Sequence, residues 1–213
     1  MPLPPHARQT ARDLIAFIDA SPSPWHAAAS AEQHLQAAGF TRLEEGARWS
    51  LAPGGRHYVL RGGASLIAFT LGSRPLAEAG FRIVGAHTDS PGLRLKPRPA
   101  LGGDGLARLA VEIYGGPILA TFADRDLSLA GRVMLRGAAG PQARLLRFDR
   151  PLLRLPNLAI HMNREVNEAG LKFDKQTELP LLLGLLDKDG DADPRLRELL
   201  AAAVQCAPDD LLS

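Results

Sequence analysis

The sequence predicts an α/β protein in two regions. Three observations carry this: apolar residues at helical spacing near the start, short runs of β-formers after them, and glycine- and proline-punctuated strand-like pieces beyond Pro97. Residues 1–97 are expected to hold two helices and a first sheet, and residues 98–213 a smaller β-rich unit, with the change near Lys96 to Ala100.

From Arg8 to Ala20, the residues Ala11, Leu14, Ile15 and Ile18 recur at intervals of three and four and make one helical face, which Ser21-Pro22-Ser23-Pro24 ends. A second helix is expected from Pro24 to Ala38. Pro24 is tolerated in its first turn, and Gly39 supplies the stop. Arg56 to Arg61, Ser65 to Leu71 and Phe81 to Ala86 read as strands, with Gly62-Gly63 turning the first two into a hairpin. In the second region, strand-like pieces fall at Leu109 to Tyr114, Leu129 to Arg136 and Arg144 to Phe148, and a helix is expected over Pro194 to Val204. The acidic run Asp187-Lys188-Asp189-Gly190-Asp191-Ala192-Asp193 reads as a solvated loop, because its glycine sits too early for an EF-hand.

Composition excludes several classes. With 213 residues, 46% hydrophobic and 23% charged, the chain can bury a core and is not of the disordered type. Its formal charge of +2 comes from scattered arginines among acidic residues, so nucleic acid is not implied as a partner. A lone cysteine, Cys206, leaves no intramolecular disulfide framework and no Cys-rich zinc site, and it suits a reducing compartment. The start, Met1-Pro2-Leu3-Pro4-Pro5-His6-Ala7-Arg8, lacks the basic and apolar pattern of a signal peptide, and Leu179 to Leu186 is too short for a membrane span. The expectation is a soluble cytoplasmic protein without a membrane partner.

The segment Arg82-Ile83-Val84-Gly85-Ala86-His87-Thr88-Asp89-Ser90-Pro91 delivers a histidine and, two residues on, a carboxylate to the end of a strand-like run. Imidazole ligates zinc well when a neighbouring acceptor fixes its tautomer, and Asp89 is placed to be that acceptor. The alternative is a histidine satisfied by a local turn, with Asp89 forming an Asx-turn before Pro91. For His161 the local pattern favours a buried strand histidine. Gly102-Gly103-Asp104-Gly105 does not sit between a strand and a helix, so it does not read as a phosphate loop.

Gly85-Ala86-His87-Thr88-Asp89-Ser90-Pro91 with Lys96-Pro97 resembles the first metal motif of the M18 metallopeptidases, the aspartyl aminopeptidase family. Three further blocks agree in order and kind. They are Phe17 to Pro24 with His26-Ala27, Asp124-Arg125-Asp126-Leu127-Ser128-Leu129-Ala130-Gly131-Arg132-Val133, and Pro156-Asn157-Leu158-Ala159-Ile160-His161-Met162-Asn163-Arg164, continued by Asn167-Glu168, Lys172-Phe173 and Gln176. The resemblance covers nearly the whole chain. It implies the N-terminal part of a zinc-peptidase-like α/β catalytic domain followed by an inserted small β-rich domain.

The resemblance also implies roles. His87 would ligate one zinc of a two-zinc centre, and Asp89 would be its catalytic orienter rather than a ligand. His161 would reach the active site of a neighbouring subunit of a homo-oligomer and bind substrate or stabilise a developing oxyanion. The substrates would be peptides with an acidic first residue. Arg125 is expected to pair with Asp124 or Asp126 and brace the small domain, and His26 to be structural. The bridging aspartate, the glutamate base with its neighbouring glutamate and the other ligands belong to a later part of the family pattern. The one Glu-Glu pair here, Glu44-Glu45, precedes His87. The chain is therefore expected to be an N-terminal half that is inactive alone, and the competing expectation is a non-catalytic truncated paralogue acting as an assembly or regulatory subunit.

Overall fold

The computed structural model describes residues 4–187 and 190–212. Met1 to Leu3 of the expected leaderless start, and Lys188 and Asp189 of the acidic run, lie outside the described residues. The chain divides into two compact units, Met1–Ser90 and Pro91–Ser213.

In the first unit, helix α1 spans Pro5–Asp19 and α2 spans Pro24–Ala37, both near their expected bounds. Ser23 caps α2: its hydroxyl accepts from the His26 amide and pairs with His26 Nδ1 at 2.7 Å, the structural role expected of that histidine. Strands β1 (Thr41–Arg42), β2 (Arg56–Arg61) and β3 (Ser65–Thr70) form one sheet in that order, β1 parallel to β2 and β2 antiparallel to β3. Arg61 pairs with Ser65, and Gly62 and Gly63 make the turn with φ of +61° and +71°, a region costly for residues with a Cβ. The core is small. Ala27 and Ala28 of α2 and Tyr58 of β2 are buried, and the Tyr58 hydroxyl donates to Glu32 at 2.9 Å and accepts from Gln36 at 2.8 Å. The apolar face read on α1 exists, yet Leu14, Ile15 and Ile18 are exposed.

A short helix, α3 (Leu76–Ala79), precedes the expected third strand. Phe81 to Ala86 is not a strand: it joins no ladder, and Phe81, Ile83 and Val84 are 76%, 86% and 98% exposed. β-Forming composition describes a surface that wants a neighbour, and no neighbour pairs with this segment among the described residues.

The second unit is built on a five-stranded sheet in the order β4-β5-β10-β9-β6, every pairing antiparallel. Its strands are β4 (Gly92–Gly103), β5 (Leu106–Tyr114), β6 (Asp126–Leu127), β9 (Leu153–Arg154) and β10 (Leu181–Leu185). Strands β7 (Ala130–Leu135) and β8 (Gln142–Arg147) form a separate hairpin. The expected change of texture at 97/98 falls inside β4. Pro97 and Pro99 are accommodated because β4 is an edge strand whose pairing skips from Leu95 to Ala100. Asp104 and Gly105, both at positive φ, make the two-residue turn into β5, which accounts for that glycine-rich stretch.

Helix α5 (Ala192–Val204) starts just before its expected range, because Asp191 caps it by accepting from the Asp193 amide. Leu196 of α5 joins Leu109, Val111, Leu153, Leu155, Leu179 and Leu181 in the sheet core. Ala201 and Val204 instead join Val133, Leu135, Leu146 and Leu211 beneath the β7–β8 hairpin. A brief helix, α4 (Val166–Ala169), follows the His161 segment. No described helix is long and apolar enough to cross a membrane.

Candidate metal centre

His87 stands at the end of the unpaired segment that leaves α3, and Gly80, with φ +65°, ends that helix. A side-chain bond ties the segment to the rest of its unit: the Thr88 hydroxyl donates to the Ala64 carbonyl at 2.8 Å, in the β2–β3 turn. Sequence reading passed over Thr88, since nothing local announces a partner so far back along the chain.

Within this turn the His87 ring is held from one side. Its Nδ1 lies 2.6 Å from the Asp89 main-chain oxygen and 3.4 Å from Asp89 Oδ1. Both oxygens only accept, so the neutral ring carries its proton on Nδ1 and leaves the lone pair on Nε2. The histidine is 79% exposed, so Nε2 is open to a ligand. That is the state a histidine needs to bind a divalent metal, with the orienting acceptor already in place. It is one ligand. Among the described residues no group of three or more His, Cys, Asp or Glu side chains converges, whereas a catalytic zinc takes at least three protein ligands.

His161 belongs to the second unit and is not buried in a strand. It is exposed in a turn closed by the Met162 amide on the Ala159 carbonyl at 2.8 Å and the Asn163 amide on the Ile160 carbonyl at 3.3 Å. Leu158, Ile160 and Met162 around it are exposed apolar residues. Just downstream, Asp174 Oδ1 accepts from the Thr177 hydroxyl and from the Gln176 and Thr177 amides, which hold its carboxyl below the usual range, the hydroxyl contributing most. Lys96 Nζ on β4 donates to Gln176 Oε1 at 3.3 Å.

The Asp124-Arg125-Asp126 block does brace the sheet, through a different arginine from the one expected. Arg154 donates to Asp126 Oδ1 at 3.0 Å and to the Asp124 carbonyl at 2.8 Å, while Arg125 donates to the Thr121 carbonyl at 3.4 Å. The pairing of β6 with β9 sets this Asp126 contact, because Asp126 lies opposite Arg154 in the ladder.

The family model described as Aminopeptidase I zinc metalloprotease (M18) matches residues 17–213. A protein of Ectopseudomonas mendocina described as a probable M18 family aminopeptidase 2 is 49% identical over 201 residues, covering 93% of this chain and 47% of the relative. One of Streptomyces coelicolor with the same description is 52% identical over 181 residues, 85% of this chain and 41% of the relative. Among solved structures, a chain of the cryo-EM structure of the Ape4 and Nbr1 complex matches with a TM-score of 0.91 at 36% identity, covering 100% of this chain and 45% of that one. The S. cerevisiae mApe1 dodecamer matches with a TM-score of 0.77 at 24% identity, over 98% of this chain and 47% of that one, a likeness of fold. The chain thus spans about half the length of the curated relatives it matches.

Proposed function

The chain belongs to the M18 family of zinc metalloproteases, and on that premise we propose that it supplies part of the catalytic machinery of a zinc aminopeptidase. The observation that supports this most directly is the His87 ring, whose Nδ1 is engaged by Asp89 and whose Nε2 is open. In this reading His87 is a metal ligand, Asp89 orients it, and His161 binds substrate or steadies charge on the carbonyl oxygen. Zinc, when bound, supplies Lewis acidity at the scissile carbonyl. Two zincs per site, peptide substrates with an acidic first residue and a cytoplasmic setting follow from the resemblance and the single cysteine. The β-rich unit is an insertion in the catalytic domain. The apolar residues around His161 suit a contact between copies in a homo-oligomer.

A catalytic zinc takes at least three protein ligands and no such group converges among the described residues, so in this reading these 213 residues alone are inactive. The same lack of a converging ligand group among the described residues supports a second reading, a non-catalytic assembly or regulatory subunit. Peptidase assays on the protein isolated from its source separate the two. Release of an N-terminal Asp or Glu, lost on chelation and in His87→Ala, is expected from the enzyme. No release, with co-purification of a full-length relative, would favour the assembly role.

A further inference from the structure

We propose that Asp124 is a positioning residue for His161, holding the point where the chain leaves the sheet core and enters the turn that carries this histidine. The proposal rests on the substrate role given to His161 above. Leu155 is 1% exposed and anchored in the core, and its carbonyl accepts the Asp124 amide at 2.9 Å. Two residues on, the Asn157 amide donates to Asp124 Oδ1 at 3.1 Å. Asp124 therefore grips the chain on both sides of Pro156, which has no amide proton of its own to offer.

The grip depends on an uncommon backbone. Asp124 sits at φ 54°, a left-handed conformation that Asp and Asn tolerate better than most side chains. In this conformation its amide, carbonyl and carboxylate all reach Leu155, Arg154 and Asn157 of the neighbouring chain, and such a conformation persists where its surroundings hold it. Arg154 locks the arrangement by donating to the Asp124 carbonyl and to Asp126. Beyond it, Asn157 Oδ1 accepts from the Leu158 amide at 2.8 Å, and the next bonds are those that close the turn around His161. Asp124 thus fixes the chain at Leu155 and Asn157, and the turn that carries His161 starts two residues further on, at Ala159.

Amide hydrogen exchange and the ring resonances of His161 in the full chain test this with two variants. Asp124→Gly accepts the left-handed backbone but removes the carboxylate. Asp124→Asn keeps both the backbone preference and an Oδ1 acceptor. Asp124→Gly is expected to speed exchange at Asn157 about tenfold, the worth of one ordinary hydrogen bond, and to shift the His161 ring signals. Exchange in β10, Leu181–Leu185, should keep its rate, and Asp124→Asn should restore both signatures. Unchanged exchange at Asn157, equal acceleration in β10, or an Asn variant that behaves like Gly would each overturn the proposal. Kinetics of His161→Ala in the active protein test the substrate role separately, and failure there leaves the exchange pattern standing.

Discussion

The Nδ1 atom of His87 lies 2.6 Å from the main-chain oxygen of Asp89, closer than to the same residue's carboxylate at 3.4 Å. The tautomer is therefore set first by the backbone, which no substitution of Asp89 removes. Nitrogen-15 correlation spectra should show His87 in the Nδ1–H form in the native chain and still in that form in Asp89→Ala. A native ring carrying its proton on Nε2 would contradict the proposed metal-ligand role.

One exposed imidazole is a weak zinc site. Nanomolar binding corresponds to about 12 kcal/mol, far beyond what a single nitrogen supplies, and among the described residues no three candidate ligands converge to add to it. Calorimetry on the purified 213-residue chain should find no nanomolar zinc site, and the chain should release no N-terminal Asp or Glu. Zinc-dependent release by this chain alone would refute its inactivity.

Phe81, Ile83 and Val84 present a strand-like apolar run left largely exposed among the described residues. Burying such side chains is worth roughly 1.5–3 kcal/mol each, a stabilisation this chain does not collect. The double variant Ile83→Ser, Val84→Ser should change unfolding free energy by no more than about 0.5 kcal/mol, while reducing binding of a hydrophobic dye. A loss of several kcal/mol in urea denaturation would mean that the segment is packed after all.

The parts readable in advance are those whose cause is local. Helix α1 announces itself by the spacing of Leu14, Ile15 and Ile18, α2 by Pro24 in its first turn, and the His87–Asp89 pair by two-residue spacing. Whether an apolar face is covered is a tertiary matter, so the same residues gave no sign that the α1 face is exposed. Strand β4 was hidden because its prolines read as a break, and only its edge position makes them harmless. The Arg154–Asp126 pair was hidden because two strands of two residues each, far apart in sequence, decide it.

Tyr58 is the largest buried side chain of the first unit, and its hydroxyl joins Glu32 and Gln36. Tyr58→Phe keeps the ring and strands two polar partners, of which Glu32 retains Arg42 at 3.2 Å. The expected cost is about 1–2 kcal/mol in urea unfolding. Burial first of all pushes the phenol above its ordinary value of 10.0. The folded state therefore keeps its proton longer than the unfolded chain, and the stability this group contributes is present below pH 10 and fades as pH rises through the folded value. Tyr58→Phe should flatten that alkaline limb, and an unaltered limb would count against the assignment.

Acid should act through Asp174. The Thr177 hydroxyl, then the Thr177 and Gln176 amides, favour its charged form and lower its pKa from 3.8. Because the folded pKa is depressed, the stability contributed by this carboxylate is present above pH 3.8 and is lost as pH falls through the folded value. Asp174→Asn keeps an acceptor oxygen but removes the charge. The native chain should therefore exceed the variant in stability at neutral pH, and the two should converge in acid. Thermal unfolding from pH 7 down to pH 2 reads this directly. A difference that stays constant, or that widens in acid, would show that the charge on Asp174 does not hold the turn together.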